Sequence, residues 1–191
     1  MNTDEGSIYV FTLEHFLSNR NSNRESLRLA DASVRGRPMP ETSDVFDSRK
    51  TVLIKVGYTK QDPVKRVNQW RRNCNHSDFV LLKPGTLFPK VLKDTSLIRL
   101  FARLSVADAD LKFSKRKYKH MNAQSNAFFT KEVYKTEQEI HKILRKTYGS
   151  GKVFCDGCRG TTNKKGIHHE WFCVPRKEME NIWKIIEKKC S

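Results

Sequence analysis

Two stretches of the chain are dense in β-branched and aromatic residues, and each predicts a strand. They are SIYVFTL at 7–13 and TVLIKVGY at 51–58, the second buried in character and ending at Gly57. The residues between them are polar, rich in Ser, Asn and Arg, and include Pro38 and Pro40. That pattern predicts a long, partly disordered insertion over about 14–50, set into the loop of a hairpin. Asp62 and Pro63 then offer an N-cap and a first helical residue. The helix they open runs to about Cys74, with Val64, Val67, Trp70 and Cys74 on one side. DFVLLKPG at 78–85 predicts a third short strand. Residues 90–130 are poorly periodic and predict a second insertion, with some helix near 92–104.

A clear helix follows from about Lys131 to Thr147, stopped by Gly149 and Gly151. EWFCV at 170–174 predicts a short strand, and Pro175 opens a last helix over about 176–189. In that helix Met179, Ile182, Trp183 and Ile186 recur at helical spacing. No internal repeat is present. The order predicts one α+β domain over residues 1–191, with a small, mostly antiparallel central sheet flanked by helices.

Composition sharpens the picture. Of 191 residues 37% are hydrophobic and 30% charged, and the net charge is +16, so the basicity asks for a polyanionic partner. With 11 Phe, 5 Tyr and 3 Trp beside that charge, nucleic acid is the leading class. No apolar run is long enough for a transmembrane helix. The start MNTDEG is acidic and polar, unlike a signal or transit peptide, which predicts a reducing compartment. The five cysteines, Cys74, Cys155, Cys158, Cys173 and Cys190, are then expected as metal ligands or thiols rather than disulfides. Cys173 is expected in the core and Cys190 as a free terminal thiol.

One residue breaks its local pattern. On the helix from 131 to 147, Val133, Ile140, Leu144 and Tyr148 form the apolar stripe at 100° per residue. Glu137 falls inside that stripe and His141 at its edge, while Glu132 and Glu139 point away. A carboxylate on a core-facing stripe is costly unless it is paired or holds a cation. Either it meets an arginine such as Arg66 or Arg71, or it lines a pocket and binds a divalent metal.

Four pieces in order, IYVF, IKVG, RVNQW and EQEIH, resemble the GIY-YIG nuclease superfamily. The closest likeness is to its branch of phage DNA-binding proteins and fungal, meiosis-associated proteins. The likeness covers 7–13, 51–83 and 131–174, and implies a GIY-YIG-like fold. Ser7-Ile8-Tyr9 stands for the first motif and Lys55-Val56-Gly57 for the second, so lysine replaces the second tyrosine. The resemblance implies a catalytic set of Tyr9, Lys55, Arg66, Glu137 and His141. Tyr9 would help to activate water, Arg66 would stabilise the phosphate, and Glu137 would hold magnesium.

Cys155-Asp156-Gly157-Cys158 has metal-knuckle spacing, with a redox pair or unligated turn cysteines as alternatives. His168 or His169 could supply the next ligand. The fungal pattern, with histidine two residues before a Glu-Trp-Phe, implies His168, and a cysteine at the helix end implies Cys74. The resulting set for a structural zinc is Cys74, Cys155, Cys158 and His168, with His169 and His76 as substitutes. The stretch TTNKKG lengthens the loop before the histidine relative to that pattern.

Basic runs supply a phosphate-contacting rim: Lys60, Lys65, Arg71 and Arg72, then Lys115, Arg116 and Lys117, then Lys164 and Lys165. Such residues position a backbone without reading bases. The expected partner is duplex or branched DNA, in the nucleus. Three functions stay open: a magnesium-dependent DNA endonuclease, a non-catalytic DNA-binding module on the same scaffold, and an RNA- or protein-binding factor.

Overall fold

The computed structural model describes residues 4–17, 27–29, 50–85, 118–159 and 165–191. In chain order its first elements are β1 (Gly6–Leu13), a 3-10 turn (Glu14–Phe16), β2 (Leu27–Leu29), β3 (Thr51–Thr59), α1 (Pro63–Cys74) and β4 (Phe79–Leu81). After them come β5 (Met121–Asn122), β6 (Ala127–Thr130), α2 (Val133–Tyr148), β7 (Val153–Arg159), β8 (Lys165–His168) and β9 (Trp171–Pro175). A 3-10 turn (Arg176–Glu178) then leads into α3 (Met179–Cys190). The architecture is α+β, with a central antiparallel sheet and three flanking helices, as the hydrophobic pattern predicts.

The two strongest strand signals pair with each other: β1 and β3 run antiparallel, with Tyr9 opposite Gly57 and Phe11 opposite Lys55. The central sheet has the order β5-β6-β1-β3-β9, and β4 also pairs with β1. A second, three-stranded sheet has the order β2-β7-β8.

Alternation along the strands divides the core into two. Ile8 and Val10 of β1, Val52, Ile54 and Val56 of β3, and Phe172 and Val174 of β9 face α2 and α3. Their cluster holds Val133, Ile140 and Leu144 of α2 with Ile182, Trp183 and Ile186 of α3. The other set, Tyr9, Phe11, Leu13, Leu53 and Trp171, packs with Val67 and Cys74 of α1 and with Phe79. By the same alternation Lys55 and Gly57 belong to the α1 face of the sheet.

The helix signals are realised atom by atom. The Asp62 carboxylate accepts from the Lys65 N–H at 3.0 Å, Pro63 is the first helical residue, and Asn75 closes α1 in the left-handed region (φ 51°). Val64, expected on the buried side, is 47% exposed. It lies about 60° round the helix from Val67, off the buried line of Pro63, Val67 and Cys74.

Other differences have local causes. The stretch read as an insertion to 130 contains β5 and β6, and β6 pairs with β1 from Gly6 to Tyr9. Four residues, AFFT, are too few to carry a periodic signal, and their partner is more than a hundred positions away. The Asn122 side chain closes the turn between β5 and β6 by accepting from the Gln124 and Ser125 N–H groups. The stretch expected as a metal-binding turn is largely strand, β7 paired with β8. Cys190 is a buried core residue of α3, and Cys173 is half-buried. The expected helix near 92–104 and most of the first insertion lie outside the described residues. No helix among the described residues is long and apolar enough to cross a membrane.

Leu144→Ala on the buried stripe of α2 should lower stability by about 2–5 kcal/mol. Lys142→Ala on its exposed side should change it by no more than about 0.5 kcal/mol. Urea unfolding of the two variants checks the difference.

Candidate functional site

The site forms where the central sheet has a gap. β9 pairs with β3 from Thr51 to Lys55, with Lys55 opposite Trp171, and goes no further. β3 continues to Thr59 beside β1, so beyond Lys55 its outer edge has no strand partner among the described residues. A buried strand edge must satisfy its backbone groups some other way. Two side chains of α2 do so. His141 Nε2 lies 3.0 Å from the Val56 carbonyl, and the Tyr58 N–H donates to Glu137 Oε1 at 3.0 Å. Glu137 is 4% exposed and His141 0%. Glu137 therefore sits on an apolar stripe for a backbone reason as well as a chemical one. Neither arginine considered as its partner forms an ion pair with it: Arg66 donates to Gln69, and Arg71 to Asn68 and the Phe79 carbonyl.

Tyr9 approaches the same edge from the other face. A methyl group added at Gly57 would lie 3.1 Å from the Tyr9 Oη and 3.2 Å from its Cζ, so the ring crosses over that glycine. Trp70 Nε1 donates to the Tyr9 hydroxyl at 3.2 Å. The Arg66 guanidinium lies over the Trp70 ring, 5.4 Å from its centroid, and acts electrostatically on Tyr9. Burial raises the Tyr9 phenol above its ordinary pKa, with Trp70 and Arg66 opposing the rise. The phenol is neutral at physiological pH.

Lys55 is 3% exposed. Its Nζ donates to Glu170 Oε2 at 2.8 Å and to the His169 carbonyl at 3.0 Å, and it lies 4.9 Å from the Trp70 ring centroid. Burial lowers its pKa, and Glu170 opposes that. Glu170 holds a positive φ of 72°, uncommon for a residue with a side chain, immediately before β9 begins. Burial works against its charged form, but Lys55 outweighs this and keeps the Glu170 carboxyl below its usual range. Burial, with the Glu170 carboxylate adding to it, pushes Glu137 up to about 7. Burial likewise lowers the His141 imidazole.

A second cluster forms where α1 meets the smaller sheet. The ligand atoms of Cys74, Cys155, Cys158 and His168 all lie within 4.8 Å of one another, a group able to bind a metal ion. His168 Nε2 is 3.5 Å from the Cys74 sulfur and 3.1 Å from that of Cys158. In a regular strand, residues three apart face opposite sides. The register between β7 and β8 breaks between Cys155 and Arg159, and both thiols reach one point. Gly157 permits the approach of the strand to the helix end, since a Cβ there would lie 1.9 Å from the Cys74 carbonyl oxygen. A hydrogen bond from the Cys74 thiol, helped by His168 and His76, holds Cys155 far below its ordinary pKa. His76 Nε2 lies 3.2 Å from the Cys155 sulfur.

With this geometry in view, the comparisons with known proteins become specific. A family model described as the T5orf172 domain matches residues 41–187. The chain belongs to the T5orf172 domain family. T5orf172 is a phage-type domain related to GIY-YIG and HNH-like nucleases, of a DNA-binding, nuclease-like class. The chain is also 44% identical over 54 residues to the uncharacterized protein YPL034W of Saccharomyces cerevisiae. That stretch is 28% of this chain and 32% of the yeast protein, so the match spans about a third of the relative's length. No solved structure matches the chain.

Within this T5orf172 chain the expected site residues divide clearly. Tyr9, Lys55, Arg66, Glu137 and His141 gather around the open edge of β3, and Cys74, Cys155, Cys158 and His168 gather at the end of α1. His169, the substitute histidine, instead offers its carbonyl to Lys55. Of the expected rim, Lys60, Lys65 and Arg72 are exposed. Lys60 pairs with Asp4 at 2.9 Å, and Arg71 is held against Phe79. Lys115, Arg116, Lys117 and Lys164 lie outside the described residues, and Lys165 lies in β8. Glu170 was not expected at the site. Its signal was indirect: a lysine in the buried strand IKVG requires a carboxylate nearby, and Glu170 opens the strand that pairs with it.

Elemental analysis of the purified chain should find about one tightly held transition-metal ion per molecule. Cys155→Ser and Gly157→Ala should each lose it, and Cys173→Ser, outside the cluster, should keep it.

Proposed function

We propose that this chain is a GIY-YIG-type DNA endonuclease, dependent on a divalent metal ion and acting at the open edge of β3. The convergence of Tyr9, Lys55, Arg66, Glu137 and His141 from four elements onto that edge carries the reading. Hydrolysis requires a water positioned in line with the leaving oxygen, and positive charge facing the phosphate. Water attacks phosphorus, the P–O bond on the far side breaks, and the products are a terminal phosphate and a hydroxyl.

The roles follow from the chemistry of each group. The neutral Tyr9 phenol, held by Trp70, orients the attacking water with its own hydroxyl. Arg66 gives one donor to Gln69 and also acts on Tyr9, and the rest of its five-donor fork would bind phosphate oxygens. Lys55 adds positive charge behind them. Glu137 suits a divalent ion because its donors among the described residues, the Tyr58 amide and Gln138, are not cationic. Magnesium bound there would neutralise charge developing on the phosphate oxygens.

The Cys74/Cys155/Cys158/His168 set, three thiols and one imidazole, fits a structural zinc. It would join the end of α1 to β7 and β8, and so fix the helix that carries Arg66 and Trp70. DNA, duplex or branched and nuclear, would lie along the exposed basic residues of α1. The whole of residues 1–191 would act as one domain.

One observation favours a second reading. Lys55, in place of the motif tyrosine, is tied to Glu170 inside the protein, and the chain would then bind DNA without cutting it.

Incubation of labelled duplex, single-stranded and branched DNA, with magnesium or EDTA, separates the two. Magnesium-dependent cutting, reduced at least about 100-fold in Glu137→Ala with binding retained, supports the endonuclease. Binding with no cutting of any substrate, with manganese as well as with magnesium, refutes it. DNA binding should also weaken about 100-fold between 50 and 200 mM salt, if about four phosphates are contacted. Lys65→Glu with Arg72→Glu should flatten that salt slope by about two.

A further inference from the structure

We infer that Glu137, His141 and Glu170 form one three-ligand divalent-ion site, whose imidazole favours manganese or a similar first-row ion over magnesium. The inference deepens the endonuclease reading and rests on its placement of a metal at Glu137. The family resemblance supplies only the glutamate of α2; the other two ligands come from this chain's own geometry.

Ligand atoms of the three residues lie within 4.8 Å of one another. An acidic cluster alone would mean little, and His141 is the independent observation. Its Nε2 lies 3.0 Å from the Val56 carbonyl, which can only accept, so Nε2 carries the proton. The other nitrogen, Nδ1, then presents a lone pair. It is fully buried, has no hydrogen-bond partner among the described residues, and faces Glu170 Oε1 at 3.8 Å. Two acceptors aimed at one point with no donor between them are unfavourable unless a cation lies there.

The surroundings agree. A backbone carbonyl on the far nitrogen is the usual partner that fixes the tautomer and ring of a metal-binding histidine. Lys55 bonds only Oε2 of Glu170, leaving Oε1 for a metal. Glu170, at a positive φ of 72°, has a carboxylate oxygen within 4.8 Å of the ligand atoms of Glu137 and His141. Two carboxylates and one neutral imidazole suit a first-row transition ion, whereas magnesium prefers oxygen ligands and retained water.

The test uses the full chain with its cysteine cluster loaded with zinc, titrated with manganese and followed by electron paramagnetic resonance. The expected result is one manganese per chain, bound at least about tenfold more tightly than magnesium, with hyperfine coupling to a nitrogen. His141→Gln should abolish the nitrogen coupling. Glu170→Gln should weaken manganese at least about tenfold, and Glu139→Gln, outside the cluster, should leave it unchanged. If His141→Gln fails to fold, Glu170→Gln with the coupling in the unmutated chain still decides. No bound manganese, binding without nitrogen coupling, or affinity unchanged in Glu170→Gln would each overturn the site. Magnesium-supported cleavage undiminished in Glu170→Gln would also overturn it, while leaving the endonuclease reading intact. Nitrogen-coupled manganese without cleavage under any ion would keep the site and refute the endonuclease.

Discussion

The arrangement depends on an edge that its neighbouring strand leaves uncovered. Because β9 begins only at Trp171, opposite Lys55, the last four residues of β3 have β1 on one side and, among the described residues, no strand on the other. An amide and a carbonyl buried there need partners, and an all-apolar α2 could not supply them. Glu137 and His141 do so from an otherwise hydrophobic stripe. The backbone requirement brings a carboxylate and an imidazole into a buried gap, where burial raises the proton affinity of the first and lowers that of the second. A structural need and a chemical capacity therefore share the same two side chains.

The second constraint acts at a distance. Arg66 and Trp70 sit on α1, whose buried line is Pro63, Val67 and Cys74, so the sheet alone gives that helix a small footprint. The Cys/His cluster ties its last turn to the β7–β8 ribbon, across an approach close enough that only glycine fits at residue 157. Fixing the helix end fixes the Trp70 indole, which in turn holds the Tyr9 hydroxyl. A metal at that cluster would reach the candidate active site through two side chains, without touching it.

Much of this was legible in the sequence. Strong strand propensity marked β1 and β3, helical periodicity exposed Glu137 as out of place, and cysteine spacing marked the cluster. What stayed hidden depended on tertiary pairing. β5 and β6 are too short to announce themselves and owe their form to β1 and to the Asn122 turn. The register break that turns Cys155 and Cys158 to one side arises only when β7 pairs with β8. Glu170 carried no local pattern, because its role follows from where β9 begins and from its backbone conformation. Val64 shows the reverse error: its spacing fits the apolar side of α1, but the sheet meets a narrower stripe.

The most direct test of the account is a crystal structure of the protein bound to DNA with calcium in place of a catalytic ion. The account predicts a backbone phosphate at the open edge of β3, within hydrogen-bond reach of Tyr9 and Arg66, with the cation on Glu137. DNA lying on another face, with the Lys55–Glu170 pair intact and no phosphate near Glu137, would contradict it.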